Sequence, residues 1–263
     1  MPLIDAHAHL NDPRLLGDLD AVLARMDAAG VAGVLVVGCD LPSSRQAVEL
    51  AMRYPAQIRA AIGVHPHESR LLDAGGLAAL RDLGARPEVV AVGEIGLDFY
   101  YDHSPREVQR EAFRQQLALA HELALPIIIH EREAADEVMG ILTAEDGWAC
   151  GGAWHCASVT PALAVEIARS LFVGIAGWIT FKNADNIRAL AQAVPLERLL
   201  VETDAPYITP VPHRGHRNEP AYVRLTAQAL AEVQGVPVSR VEECTTQNVR
   251  QAFPRWTRTL REV

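Results

Sequence analysis

The stretch Leu3-Ile4-Asp5-Ala6-His7-Ala8-His9 opens the chain with a short apolar run that ends in residues of metal-ligand type. The same form returns at Val31 to Gly38, Ile58 to His65, Val89 to Glu94, Pro126 to His130, Ala149 to His155, Leu171 to Gly177 and Leu199 to Asp204. Each run has the length of a strand, and the segments between them carry helical periodicity. Leu19, Val22, Leu23 and Met26 follow that period, as do Ala135, Val138, Met139 and Leu142, and Ile187, Leu190, Ala191 and Val194. Phe113, Leu117, Ala120 and Ala124 read as core at the same spacing. Ser43-x-x-Gln46, Ser104-Pro105-x-Glu107 and Ser239-x-x-Glu242 have the form of capping boxes, and Gly30 and Pro55 mark stops. Alternation of this kind predicts a single α/β domain over residues 1–263. The expected fold is a (β/α)8 TIM barrel with its site at the C-terminal ends of the strands. A doubly wound open sheet is the alternative arrangement of the same units.

With 263 residues, 49% of them hydrophobic, the chain has the material for a large core. Its formal net charge of -9 argues against a broad basic coat that would wrap duplex DNA. A metal site that grips one or two phosphates needs positive charge only at the cleft, and the ions supply much of it. The first residues lack the basic start and apolar stretch of a signal peptide, and no run reaches transmembrane length. A cytoplasmic protein with no membrane partner is therefore expected. Cys39, Cys150, Cys156 and Cys244 form no C-x-x-C pair, so they read as core thiols rather than a zinc ribbon or disulfide framework.

His7 and His9 stand two apart, which on a strand places both imidazoles on one face. Glu94, His130, His155 and Asp204 each close another run. Six ligand-type residues on one barrel rim point to metal, because grouped carboxylates and imidazoles repel or go unsatisfied without a cation. Such mixed donors suit Zn, Mn, Fe or Ni and, more weakly, Mg. Six donors exceed what one catalytic ion with open positions needs. If Glu94 bridges, His7, His9 and Asp204 hold one ion and His130 and His155 the other, a layout suited to displacement at phosphorus by a metal-bound hydroxide. Asp204 is then both ligand and proton acceptor. His65 and His67 either contact the scissile phosphate or order the turn at Pro66, and His65 is also a candidate catalytic donor. Arg132 either meets a phosphate oxygen or pairs with Glu133 or Asp136. Tyr100 and Tyr101 either stack on a base or pack their loop. His103, His121 and His213 read as surface or capping residues.

The sequence resembles the TatD family of metal-dependent deoxyribonucleases, within the amidohydrolase superfamily. The likeness runs through Asp5-Ala6-His7-Ala8-His9, Gly63-Val64-His65-Pro66-His67, Gly93-Glu94-Ile95-Gly96-Leu97-Asp98 and Pro126-Ile127-Ile128-Ile129-His130-Glu131-Arg132. It continues in Thr180-Phe181-Lys182, Glu202-Thr203-Asp204-Ala205-Pro206 and Arg217-Asn218-Glu219-Pro220. The resemblance implies that the six ligands bind two divalent ions, Mg or Mn with Zn as an alternative. It also implies the barrel fold and 3' to 5' exonucleolytic cleavage of DNA, bound through its phosphate backbone at ends or single strands. The loop Arg214-Gly215-His216-Arg217 departs at His216, where lysine or arginine is more usual, and Arg217 is its candidate phosphate contact.

Two other readings use the same residues. An amidohydrolase cleaving a C-N bond or a carboxylic ester, such as a lactonase, deaminase or aminoacyl-ester deacylase, would use the same rim. Many dinuclear members of that superfamily bridge their ions with a carboxylated lysine from the fourth strand, where this chain has Glu94. A metal-binding or interaction protein that lost turnover would not need Asp204 beside a full ligand set. No protein partner is legible.

Overall fold

Apolar residues dominate the strands, and those at Leu3–Ala8, Ile58–Ile62 and Val89–Asp98 are buried along their whole length, that at Val31–Val37 at all but Ala32. The computed structural model describes residues 2–256. The strands are β1 (Leu3–Ala8), β2 (Val31–Val37), β3 (Ile58–Ile62), β4 (Val89–Asp98), β5 (Ile127–Arg132), β6 (Gly152–Trp154), β7 (Phe172–Ile175) and β8 (Leu199–Val201). The helices are α1 (Pro13–Leu16), α2 (Leu19–Ala28), α3 (Leu41–Arg53), α4 (Ala74–Gly84), α5 (Arg106–Leu123), α6 (Ala135–Ala144), α7 (Pro161–Ile167), α8 (Asp185–Ala193), α9 (Val223–Gln234) and α10 (Val238–Ala252). The eight strands form one sheet in chain order, β1 to β8. Ala8 also bridges in parallel to Ala205, just past β8, so the last strand returns to the first. Parallel strands in this order, with helical crossovers, define the (β/α)8 barrel fold.

The chain divides into two compact units. The first comprises residues 1–36 and 156–251, and the second residues 37–155 with the C-terminal segment from residue 252. In the first, Leu19, Val22, Leu23 and Met26 of α2 and Ile187, Leu190 and Ala191 of α8 are buried as their spacing predicts. In the second, Arg255 ties the end of the described chain to the ends of α4 and α5 and the start of β4 by donating to the carbonyls of Gly84, Leu123 and Val89. Phe113, Leu117 and Ala120 of α5 are buried, but Ala124 is not core: it is the exposed left-handed C-cap of that helix.

Helix starts differ from expectation in register. The N-cap of α3 is Asp40, and Ser43 is its N3 partner in a reciprocal capping box. An aspartate one turn earlier outcompetes Ser43 because its carboxylate reaches the N3 amide while Ser43 answers to the Asp40 amide. Ser104 does not cap α5 but donates to the His67 carbonyl at 2.7 Å. Ser239 lies inside α10. Among the described residues the cysteines make no disulfide, and only Cys244 is buried, so the other three are not core thiols. No helix among those residues is long and apolar enough to cross a membrane.

Two buried glutamines on α5 hold the ends of β3 and β4. Gln116 accepts from the Val64 amide at 2.7 Å and returns a bond to its carbonyl at 3.0 Å. Gln109 does the same for Asp98, at 2.9 and 3.1 Å, and also donates to Ser104. Each side chain thus stands in for a strand partner where the ladder ends. Gln109→Leu is expected to destabilise the protein by about 2–4 kcal/mol, because it strands a buried amide and carbonyls without partners. Chemical denaturation of variant and parent measures this, and a loss under about 0.5 kcal/mol would contradict it.

Candidate metal centre

In the first unit, β1 delivers His7 into the interior and the chain turns His9 to meet it, their Nε2 atoms 3.3 Å apart. Asp204 follows β8 in a left-handed conformation (φ 56°), its amide donating to the His7 carbonyl while the His9 amide donates to the Ala205 carbonyl. These bonds bring Asp204 Oδ1 to 3.3 Å from His9 Nε2 and 3.8 Å from His7 Nε2. Ligands about one ion with bonds of about 2.1 Å lie about 3.4 Å apart in a tetrahedral arrangement, so the three donors are spaced as a coordination triad. Two imidazole nitrogens and a carboxylate oxygen so placed fit a divalent cation. Asp5, on the same strand, is fully buried and braces the β8 end, accepting from the Thr203 amide and hydroxyl and from the His7 amide. Burial pushes its carboxyl up to about 8 against the pull of those bonds.

In the second unit, Glu94 is the hub. Its Oε1 lies 2.6 Å from His130 Nδ1, 3.4 Å from His155 Nε2 and 3.7 Å from His65 Nε2, and His65 Nε2 is 3.1 Å from His130 Nδ1. His65, Glu94 and His130 are again spaced to hold one ion. Glu94 and His130 do not close their strands as the runs suggest: β4 continues to Asp98 and β5 to Arg132, paired Gly96 to His130 and Asp98 to Arg132. Gly96 is required there, since at φ 145° any Cβ would collide with the His130 carbonyl oxygen.

That strand extension exposes a residue the sequence reading passed over. Asp98, on the same face as Glu94, contacts His130 Nε2 at 3.3 Å and His67 Nε2 at 2.8 Å, and accepts from the Tyr100 and Tyr101 amides. Burial disfavours its charge, yet the bonds from His130 and His67 hold its carboxyl well below the usual range. Burial lowers the His130 imidazole, but Asp98 and Glu94 outweigh that and lift it to about 9. The even spacing of Glu94, Gly96 and Asp98 was the available signal. Glu202 was also passed over. Its carboxylate accepts the Cys156 amide at 2.6 Å and fills the space that a side chain at Gly174 would take.

The remaining candidates fall into place around these clusters. His65 Nδ1 accepts the His67 amide, so His65 does order the Pro66 turn while its Nε2 faces the donors. Arg132 pairs with neither Glu133 nor Asp136 among the described residues and lies over Tyr100 and Tyr101, 4.0 and 4.7 Å from their ring centroids. Both rings are about half exposed, at 53% and 49%. His103 joins this group, stacked on Tyr101 and 4.6 Å from His67. Arg217 is engaged elsewhere, forked onto Asp18 at 2.7 and 2.9 Å and bonded to the Arg14 carbonyl. His213 stacks on Tyr222, and His121 lies exposed near Cys150.

Barrel fold and donor clusters together define a metal-dependent hydrolase. The chain belongs to the family described as TatD related DNase, which matches residues 4–254. It is 41% identical over 252 residues to an uncharacterized metal-dependent hydrolase of Bacillus subtilis, YabD, covering 95% of this chain and 98% of that protein. It is 36% identical over 258 residues to the 3'-5' ssDNA/RNA exonuclease TatD of Escherichia fergusonii, covering 95% and 98%. Among solved structures it is similar to the TatD homolog YjjV of Escherichia coli, with a TM-score of 0.90, 30% identity, and coverage of 96% of this chain and 98% of that one.

Proposed function

We propose that the chain, working as one domain in the cytoplasm, cleaves phosphodiester bonds of DNA from the 3' end of a single strand. The observation that carries this reading is the company the donors keep. Arg132 with Tyr100 and Tyr101 adjoins His67 and Asp98, and Arg14 lies 4.5 Å from the exposed Tyr207 ring, itself 6.0 Å from His9. Guanidinium groups and aromatic faces are what a polynucleotide's phosphates and unpaired bases require. The relative named as a 3'-5' ssDNA/RNA exonuclease supports the direction and strand preference.

His7, His9 and Asp204 would hold one divalent cation and Glu94, His130 and His155 a second, Mg or Mn foremost and Zn as the alternative. Bound there, such ions supply Lewis acidity and neutralise charge on the phosphate. Asp204 takes the proton of the attacking water. His65 and His67 orient and donate to the phosphate, Arg132 meets a non-bridging oxygen, and Asp98 holds His130 from its Nε2, leaving Nδ1 toward Glu94. Arg217 reaches a phosphate by exchanging Asp18 for it.

The test uses oligonucleotides labelled at either end, with an aryl ester as a parallel substrate, in Mg, Mn or Zn. Release of mononucleotides from the 3' end is the expected result; ester turnover with intact oligonucleotide would replace this reading with the deacylase one. Recognition by a chain of net charge -9 is also expected to be local. The logarithm of single-strand affinity should fall with the logarithm of salt concentration with a slope of about -0.7 to -2, that of one to three phosphates. A slope matching six or more contacts would reveal an unrecognised basic surface.

A further inference from the structure

Lys182 is the single lysine of the chain, since the other 23 of its 24 basic residues are arginine. It stands in the first unit, at a cleft of about 360 Å³ whose walls include Trp178, Phe181, Asn183, Asn186 and Arg214. No acidic residue lines that cleft. Arg214 lies flat on Phe181, its guanidinium carbon 3.7 Å from the ring centroid. Eleven arginines of this acidic chain are paired with carboxylates among the described residues, whereas neither Lys182 nor Arg214 is. The buried indole N–H of Trp178 has no acceptor among those residues either.

Hydrogen bonds brace the walls. Arg188 of α8 donates to the carbonyls of Ile179, Phe181 and Lys182 and pairs with Asp185. Thr180 accepts the Val211 amide and donates to the Gly177 carbonyl, binding the turn after β7 to the segment that follows Asp204. The cleft is thereby tied to the segment that runs from Asp204 to Arg214. Two unpaired cations of opposite geometry, an aromatic wall and amide side chains make a place for one phosphate and one base.

We infer that the cleft of Trp178, Phe181, Lys182 and Arg214 is a subsite for an unpaired nucleotide of a single-stranded polynucleotide. Its phosphate meets Lys182 and Arg214, and its base lies against Trp178 and Phe181. This rests on the nucleic-acid reading above and deepens it, because a base held in a duplex cannot enter such a cleft. A compact ammonium reaches a phosphate that approaches from any direction, whereas Arg214 is spread over Phe181 and presents its edge.

A sole lysine makes the test direct. Pyridoxal phosphate condenses with the Lys182 amine with loss of water, and borohydride reduces the imine to a stable amine that peptide mass mapping separates from the N-terminal adduct. In EDTA, a single-stranded oligothymidylate is expected to slow labelling of Lys182 at least about tenfold, and inorganic phosphate at the same phosphate concentration less than about twofold. By fluorescence anisotropy, Lys182→Met should make the salt slope of oligothymidylate affinity shallower by about 0.7, one phosphate contact. Phe181→Ala should weaken binding about fivefold or more by removing the stacking wall. Labelling that is unchanged by oligothymidylate, or equally blocked by inorganic phosphate, overturns the subsite, as does an unchanged slope. If oligonucleotides are degraded in Mn while Lys182 stays unprotected, the nuclease reading stands and the subsite falls. Protection of Lys182 without any cleavage leaves the subsite standing and removes the nuclease reading.

Discussion

Asp204→Asn will lower kcat by about two to four decades while part of the bound metal stays in place. The carboxylate stands 3.3 Å from His9 Nε2 and 3.8 Å from His7 Nε2, close enough to share their cation with one oxygen. Its position is set by backbone, with its amide on the His7 carbonyl, so the substitution does not release the side chain from the site. Asparagine keeps the size and one coordinating oxygen but is a far weaker base. The variant therefore separates metal binding from proton acceptance. Metal content by elemental analysis and single-turnover cleavage should be measured on one folded sample. A variant that retains its metal and turns over within about tenfold of the parent would show that Asp204 is only a ligand.

Chelation will abolish turnover, and the loss will be restored by Mg or Mn. The second unit gives the structural reason. One oxygen of Glu94 faces three imidazoles, and His130 is protonated up to about 9 because Glu94 and Asp98 flank it. A cation at Glu94 competes with that proton, so metal uptake should release protons and weaken as pH falls. Glu94→Gln removes the charge at the hub and should lower bound metal together with about three decades or more of activity, a magnitude typical of losing the Lewis acid. Undiminished cleavage in excess EDTA by a protein shown to be metal-free would refute the metal requirement outright.

The candidate donors were legible because ligand chemistry is written in residue type and in where apolar runs stop. His7, His9, Glu94, His130, His155 and Asp204 could be selected on that ground alone. Asp98 escaped because it lies past the point where the run Val89 to Glu94 turns polar, and only pairing with β5 shows that the strand goes on. Gln109 and Gln116 escaped for a related reason. On α5 their period is that of any helix face, and nothing local reveals that each repairs the end of a strand distant in sequence. Helix starts slipped by one turn at α3, where two capping residues compete and local propensity does not choose between them.

What the sequence alone determined is the alternation of strands and helices, the barrel class, and the choice of candidate metal donors. Periodicity and residue chemistry are local properties, present before any contact forms. Only the tertiary structure decided which donors face one another, that Arg217 is held by Asp18, that Arg132 lies on Tyr100 and Tyr101, and that Lys182 shares a cleft with Arg214. Those outcomes depend on side chains that are far apart in the chain competing for the same partners. A long flexible arginine has several acceptors within reach, and only packing selects one.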